Sequence, residues 1–267
     1  MRKPVRVGAV AVTAAAVLWA MTPLSAGADS LIGEPFTGAT VSNANLLEGG
    51  TKATPPAFIP CLTASTNTAQ TPIQGCPSGQ PAIPAGGDAV GSGALRLTDN
   101  SGGEATFVID NEARPFTAGL TVDFDMYMYD TSSGSPADGI VFFVADGSAS
   151  VTQPGAGGGS LGYGTFGVTP GVAGGYVGVG FDEFGNYENS AFDGTGCPVS
   201  LPPVGPNQVG IRGPGSGTAG YCLLAASGTL SSSLSNPTAT SRTTANTKRH
   251  VRILIDPPGS ASPKVTV

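Results

Sequence analysis

Leu120-Thr121-Val122-Asp123-Phe124-Asp125-Met126-Tyr127-Met128-Tyr129 is the stretch that decides the fold. Its apolar residues fall at every second position, with Thr, Asp and Tyr between them, which is the period of a β-strand with one face on a core and one on water. Downstream, Ile140-Val141-Phe142-Phe143-Val144 is apolar without a break. That pattern fits a strand covered on both faces, a position supplied by a two-layer sandwich. Shorter β runs surround these two. Ala94–Thr98 and Ala105–Ile109 flank the turn Asp99-Asn100-Ser101-Gly102-Gly103 and read as a hairpin. Tyr176–Phe181, Gln208–Arg212, Tyr221–Ala225, Val251–Ile255 and Lys264–Val267 are each bounded by Gly, Pro or Asn.

Beyond the N-terminal run no segment keeps a helical period of about 3.6 residues, so the chain is expected to be all-β with almost no helix. Residues 29–93, rich in Thr, Pro, Ala and Gly, read as an irregular N-terminal part of a single domain spanning 29–267. Ser231–Thr247 is polar and reads as a long surface loop. The alternation is still running at Val267, so the domain is expected to continue past it.

The chain opens with the basic Met1-Arg2-Lys3-Pro4-Val5-Arg6, followed by the apolar run Val7–Trp19 and the small residues Ala26-Gly27-Ala28. This is the order of a secretory signal peptide, with cleavage expected after Ala28. The apolar run is shorter than the roughly 20 residues of a spanning helix, so no membrane span is expected in the mature chain. Removing residues 1–28 leaves nine basic against eighteen acidic residues, a net charge of −9. Such a chain repels nucleic acid and anionic lipid, which excludes both as partners. Charged residues are only 11% of the sequence and apolar ones 40%, so a core can form despite 41 glycines and 23 prolines.

Cys61, Cys76, Cys197 and Cys222 are the four cysteines. Export to an oxidising compartment favours disulfides, and no C-x-x-C spacing suggests a metal knuckle or redox motif. Of the three possible pairings, the sequence-local one joins Cys61 to Cys76 and Cys197 to Cys222. Each loop so closed is worth roughly 3 kcal/mol in the chain-entropy model.

Three segments in fixed order carry the chemistry: Ala137-Asp138-Gly139-Ile140-Val141-Phe142-Phe143, Gly157-Gly158-Gly159-Ser160-Leu161-Gly162-Tyr163, and Val177-Gly178-Val179-Gly180-Phe181-Asp182-Glu183-Phe184-Gly185-Asn186. The third runs from a strand into a turn with oxygen donors at alternating positions. A carboxylate from Asp182, a backbone carbonyl from Phe184 and a side-chain carbonyl from Asn186 form the hard-oxygen set that calcium prefers, with Asp193 or Glu188 as the completing acid. Taken one at a time, each segment is equally compatible with an ordinary turn, because Asp, Asn and Gly fill turns for conformational reasons.

Their wording and order resemble the L-type lectins, the legume-lectin-like family, whose signatures are an A-D-G-x-x-F-F strand, a G-G-x-L-G turn and an E-F-D-x-F-x-N strand end. The resemblance, to a secreted bacterial-type member, covers about residues 94–267. Asn207-Gln208-Val209-Gly210-Ile211-Arg212-Gly213 stands where the family has an H-x-G-I-D strand. The resemblance implies a concanavalin-like jelly-roll sandwich of two large antiparallel sheets. It also implies a calcium ion and, beside it, a sugar site. Asp138, after a cis peptide, would accept from sugar hydroxyls; the Gly159 N–H and the metal-bound Asn186 would donate to them. The metal ligands it implies are Asp182, Phe184, Asn186 and Asp193.

The departures are informative. The family's transition-metal site uses a glutamate where this chain has Gly180 and a histidine where it has Asn207 or Gln208, so no manganese is expected. Glucanases on related sandwiches carry E-x-D-x-x-E on one strand, whereas this chain has Gly180, Asp182 and Gly185 there, so no catalysis is expected. The single histidine, His250, follows Lys248 and Arg249 at the start of a strand pattern, and no G-x-S-x-G elbow exists to pair with it. Two functions follow as expectations: a secreted, calcium-dependent protein that binds a glycan or polysaccharide, or a structural and adhesive cell-surface module that meets a protein partner through the same shell.

Overall fold

The computed structural model describes residues 31–52, 58–78, 87–129, 136–199, 204–257, 259–260 and 264–267. The expected signal peptide lies outside them. Residues Ile32–Val267 form one compact unit. Its strands are β1 (Leu46–Lys52), β2 (Cys61–Leu62), β3 (Leu95–Arg96), β4 (Glu104–Asp110), β5 (Leu120–Tyr127), β6 (Gly139–Ala145), β7 (Gly175–Asp182), β8 (Gln208–Arg212), β9 (Gly215–Ser216), β10 (Ala219–Gly220), β11 (Leu223–Ala226), β12 (Lys248–Ile255) and β13 (Val265–Thr266). Two single 3-10 turns, Gly158–Ser160 and Ser190–Phe192, are the helical elements among the described residues.

The chain is an all-β sandwich. β7 is the centre of a six-stranded sheet, pairing antiparallel with β6 on one side and with β8 and β9 on the other, while β11 and β10 extend it outward. β12 lies between β5 and β13 in a three-stranded sheet, in a register that sets Val251 opposite Phe124 and Ile253 opposite Val122. Alternation then does what the opening stretch anticipates. Leu120, Val122, Phe124 and Met126 turn inward with Val251, Ile253 and Ile255, against Ile140, Phe142, Val177, Val179 and Phe181 of the larger sheet. Phe124 packs edge-on to Phe181 at 6.1 Å and stacks with Phe142 at 6.5 Å. On the outer face Asp123 and Asp125 meet Lys248, His250 and Arg252, so the lone histidine belongs to an exposed charge ladder.

β6 is covered on both faces, as its unbroken apolar run requires. Val141, Phe143 and Ala145 face away from the sandwich core into a second cluster of Phe107, Val151, Tyr163, Val172 and Tyr221. Both disulfides have the sequence-local pairing, Cys61–Cys76 and Cys197–Cys222.

Two expectations are corrected. β3 and β4 do not form a hairpin: β3 pairs with β2 and β4 with β1. Nor is the N-terminal part irregular throughout. β1 runs the full length of β4, and Leu46, Leu62 and Ile73 form their own small core. The sequence Leu47-Glu48-Gly49-Gly50-Thr51 hid this strand, because its two glycines lie under aromatic and backbone atoms where a side chain has no room.

The second face of the large sheet depends on small residues. A Cβ at Gly178 would lie 2.5 Å from Cδ1 of Tyr163, and one at Gly180 would lie 2.5 Å from Cδ1 of Tyr187. Gly180→Ala is therefore expected to cost about 1–3 kcal/mol through overpacking, while Gly228→Ala, exposed and with nothing near its Cβ, should be close to neutral. Urea unfolding of both variants measures this; equal effects would remove the ring-on-glycine account.

Candidate functional site

The glycine floor leaves room for three tyrosine rings packed against it, and their loops carry the site. Tyr163, Tyr187 and Tyr221 are fully buried, each donating its hydroxyl to a backbone carbonyl: Gly213 at 2.9 Å, Gly178 at 3.5 Å and Val172 at 2.8 Å respectively. A buried phenol must find such a partner. Tyr163 follows the Gly157–Gly162 turn and Tyr187 follows Asn186, so seating the rings fixes two of the three motif segments against β7. The third is fixed by pairing. Gly139 stands opposite Asp182, and the Asp138 carbonyl accepts from the N–H groups of Glu183 at 2.9 Å and Phe184 at 3.3 Å. The Ala137–Asp138 peptide is cis, as the resemblance implies.

At this end of the sheet Asp138, Gly159 and Asn186 converge. The Asn186 side-chain amide donates to the Asp138 carboxylate. Gly159 is buried beside it, and a Cβ there would lie 2.7 Å from Cγ of Asn186 and 2.5 Å from the ring of Phe192. Only glycine admits so close an approach of backbone to the other two groups. Burial, and secondarily the charge of Asp182, push the Asp138 carboxyl above its ordinary range, and the Asn186 hydrogen bond opposes this.

Beneath lies an acidic pocket. Asp182 is fully buried, its Oδ1 accepting from the Gly185 N–H at 2.8 Å and its Oδ2 from the Tyr187 N–H at 2.5 Å. Gly185 closes this turn at φ +95°, a left-handed conformation that side-chain-bearing residues rarely adopt. Glu188 is also fully buried, and both of its carboxylate oxygens, together with Oδ1 of Asn186, lack a hydrogen-bond partner. Buried oxygens of this kind are costly unless a partner meets them. Two carboxylates and an amide carbonyl are a donor set that suits a hard divalent cation such as calcium. Among the described residues no group of three or more His, Cys, Asp or Glu is gathered as a metal cage.

The expected ligands separate on this geometry. Asp182 and Asn186 are together, and Glu188 is the acid that joins them. Asp193, expected as a ligand, is drawn elsewhere: its Oδ1 accepts from Arg212 Nη1 at 2.6 Å and from the Leu223 N–H at 3.1 Å. Phe184 presents a half-exposed ring beside Asp138. At the two positions that depart from the family's transition-metal site, Gly180 lies under the Tyr187 ring and the Gln208 side chain accepts from the Gly205 N–H and donates to the Ser227 carbonyl.

Arg212 is the residue that sequence reading passed over. On the alternating strand Gln208–Arg212 it looks like a solvent-facing position, yet it is fully buried under the loop after Asn186. Its guanidinium donates to the carbonyls of Tyr187, Asn189, Phe192 and Tyr221 as well as to Asp193, at 2.5 to 3.1 Å. Apart from the Tyr221 contact, all of these bonds go to one short loop, which is how a planar fork holds irregular backbone in place. A polar residue alternating with Val209 and Ile211 gave no signal for this, because the lid that buries it comes from a distant part of the chain.

The Glu188 carboxyl is pushed well above the usual glutamate range, first by burial and then by the charge of Asp182. The folded protein thus keeps a proton that the unfolded chain releases near the ordinary glutamate value of 4.5. The resulting stability is complete below that value and lost as pH rises through the raised folded value. In chelator-treated protein, unfolding free energy should fall between pH 4.5 and about pH 8, and Glu188→Gln should flatten that slope; an unchanged slope in the variant would assign the pH dependence to another group. No protein-family model and no curated protein matches this chain, so the functional reading rests on this geometry.

Proposed function

We propose that this protein is a secreted, non-catalytic, lectin-type module that binds carbohydrate with the help of calcium. The observation that carries the reading is the convergence of Asp138, Gly159 and Asn186 at one sheet end, directly above the unpartnered oxygens of Asn186 and Glu188. A sugar hydroxyl is donor and acceptor at once, so a fixed carboxylate beside fixed N–H groups matches it. Asp138 supplies the acceptor. The Asn186 amide has two hydrogens, one engaged by Asp138 and one left for the ligand. Residues Asp182, Asn186 and Glu188, with the Phe184 carbonyl, would hold the calcium, whose positive charge offsets the carboxylates and keeps the Asn186 amide in place for binding.

Export is supported by the two disulfides, and no helix among the described residues is long and apolar enough to cross a membrane. The all-β sandwich agrees with the fold class that the resemblance to the L-type lectins implies.

One observation favours a second reading, a structural or adhesive module with a lectin-like shell. Both Asp182 oxygens are already met by backbone N–H groups, so the turn closes without help from a metal.

Calcium titration with thermal unfolding separates the two. At a hundredfold excess over its Kd, calcium should add about 2.7 kcal/mol, or about 5–10 °C in Tm for a chain of this size, and Asp182→Ala should abolish the shift. Asp138→Ala should keep the shift but lose retention on a glycan resin that holds the parent. No calcium shift in the parent protein would leave the shell reading standing.

A further inference from the structure

We propose that Phe166 and Phe192 form a second subsite, stacking the sugar ring next to the one held at Asp138, so that the ligand class is a neutral oligosaccharide of two or more residues. The inference rests on the lectin-type reading and adds the ligand's length and charge to it.

Phe192 and the amide of Asn186 flank the same backbone atom. The positions 2.5 Å from the Phe192 ring and 2.7 Å from Asn186 Cγ are one point, the place a Gly159 Cβ would occupy. The ring therefore continues directly from the polar group. Phe166 extends it, with ring centroids 5.1 Å apart and planes tilted by 35°. Phe166 is 53% exposed and its loop neighbour Val168 is 95% exposed, so the polar group is bordered on this side by an open apolar wall.

The wall is rigid. Phe166 and Thr169 exchange backbone hydrogen bonds at 3.0 and 3.1 Å, Thr165 Oγ1 donates to the Thr169 carbonyl at 2.6 Å, and Ser160 Oγ donates to the Thr165 carbonyl at 3.0 Å. Phe192 sits in the Ser190–Phe192 turn, capped by the Asn189 side chain and held through its carbonyl by Arg212. An exposed phenyl ring and a half-buried one beside it, both held by short, hydrogen-bonded loops, are prepared for an apolar surface. A pyranose offers such a surface in the C–H face of its ring, while its hydroxyl rim suits Asp138, Asn186 and the Gly159 N–H. Neutrality follows from charge: the Asp138 carboxylate, which faces the ligand, repels an acidic sugar.

The test is calorimetric titration, with calcium present, of glucose, galactose and mannose and of their di- and trisaccharides. Lengthening the best monosaccharide should raise affinity about tenfold, equivalent to about 1.4 kcal/mol. Phe166→Ala should erase that gain, and Phe166→Tyr should restore most of it. Because Phe166 is exposed, an unchanged Tm will show that the variant is folded. A length gain that survives both Phe166→Ala and Phe192→Ala, or the absence of any gain in the parent protein, would overturn the second subsite and leave the sugar reading intact. If no saccharide binds at all, the lectin-type reading falls, and the subsite with it.

Discussion

The contact between buried tyrosine rings and the glycines of β7 and β8 is the constraint on which the rest of this end of the molecule depends. Gly178, Gly180 and Gly210 carry no side chain on the face away from the sandwich core, and Tyr163 and Tyr187 fill the space. The six-stranded sheet is thereby covered on both sides: the residues of β5 and β12 lie on one face, and loop-borne rings together with Phe107 and Ile109 of β4 lie on the other. Because each ring also donates its hydroxyl to a particular carbonyl, burial fixes position as well as depth. Loops seated in this way keep a defined geometry where loops on a surface would not.

Electrostatics builds on that seating. Arg212, buried beneath the loop after Asn186, draws four carbonyls and Asp193 around itself, and the Cys197–Cys222 disulfide ties a point further along the chain to the link between β10 and β11. One buried acid is thereby neutralised. Asp182 and Glu188, a few residues earlier, form no salt bridge among the described residues, and Asp182 lies close to Asp138. Balanced charge in one half of the loop and unbalanced charge in the other is an arrangement suited to a structural anchor beside a binding site.

Much of the fold was legible in the sequence because strand signals are local. The alternation in Leu120–Tyr127 and the unbroken run Ile140–Val144 each state which faces are covered. The register of β5 with β12 then pairs the two strands along their full length. The cysteine pairing was equally local. What failed was pairing between distant runs. Nothing in Leu95–Arg96 and Glu104–Asp110 says that their partners are Cys61–Leu62 and Leu46–Lys52, since adjacency in sequence is only the commonest arrangement. The glycine-bearing β1 was invisible, because its strand character comes from its neighbours.

The same division runs through the site. By itself the sequence determined the strand-to-turn chemistry, Asp182 ahead of Asn186, because it is a short-range requirement for particular atoms, whereas Asp138 and Gly159 were singled out by the resemblance. Only the tertiary structure separated the two nearby acids. Glu188 and Asp193 are both close in sequence to Asn186, and Arg212, a cation on another strand, pairs with Asp193 while Glu188 lies buried beside Asp182. The aromatic wall was decided in the same way, since Phe166 and Phe192 meet only through the folding of two separate loops. Local sequence specifies conformation through sterics and short hydrogen bonds; the partner of a buried charge or ring depends on where the remainder of the chain packs.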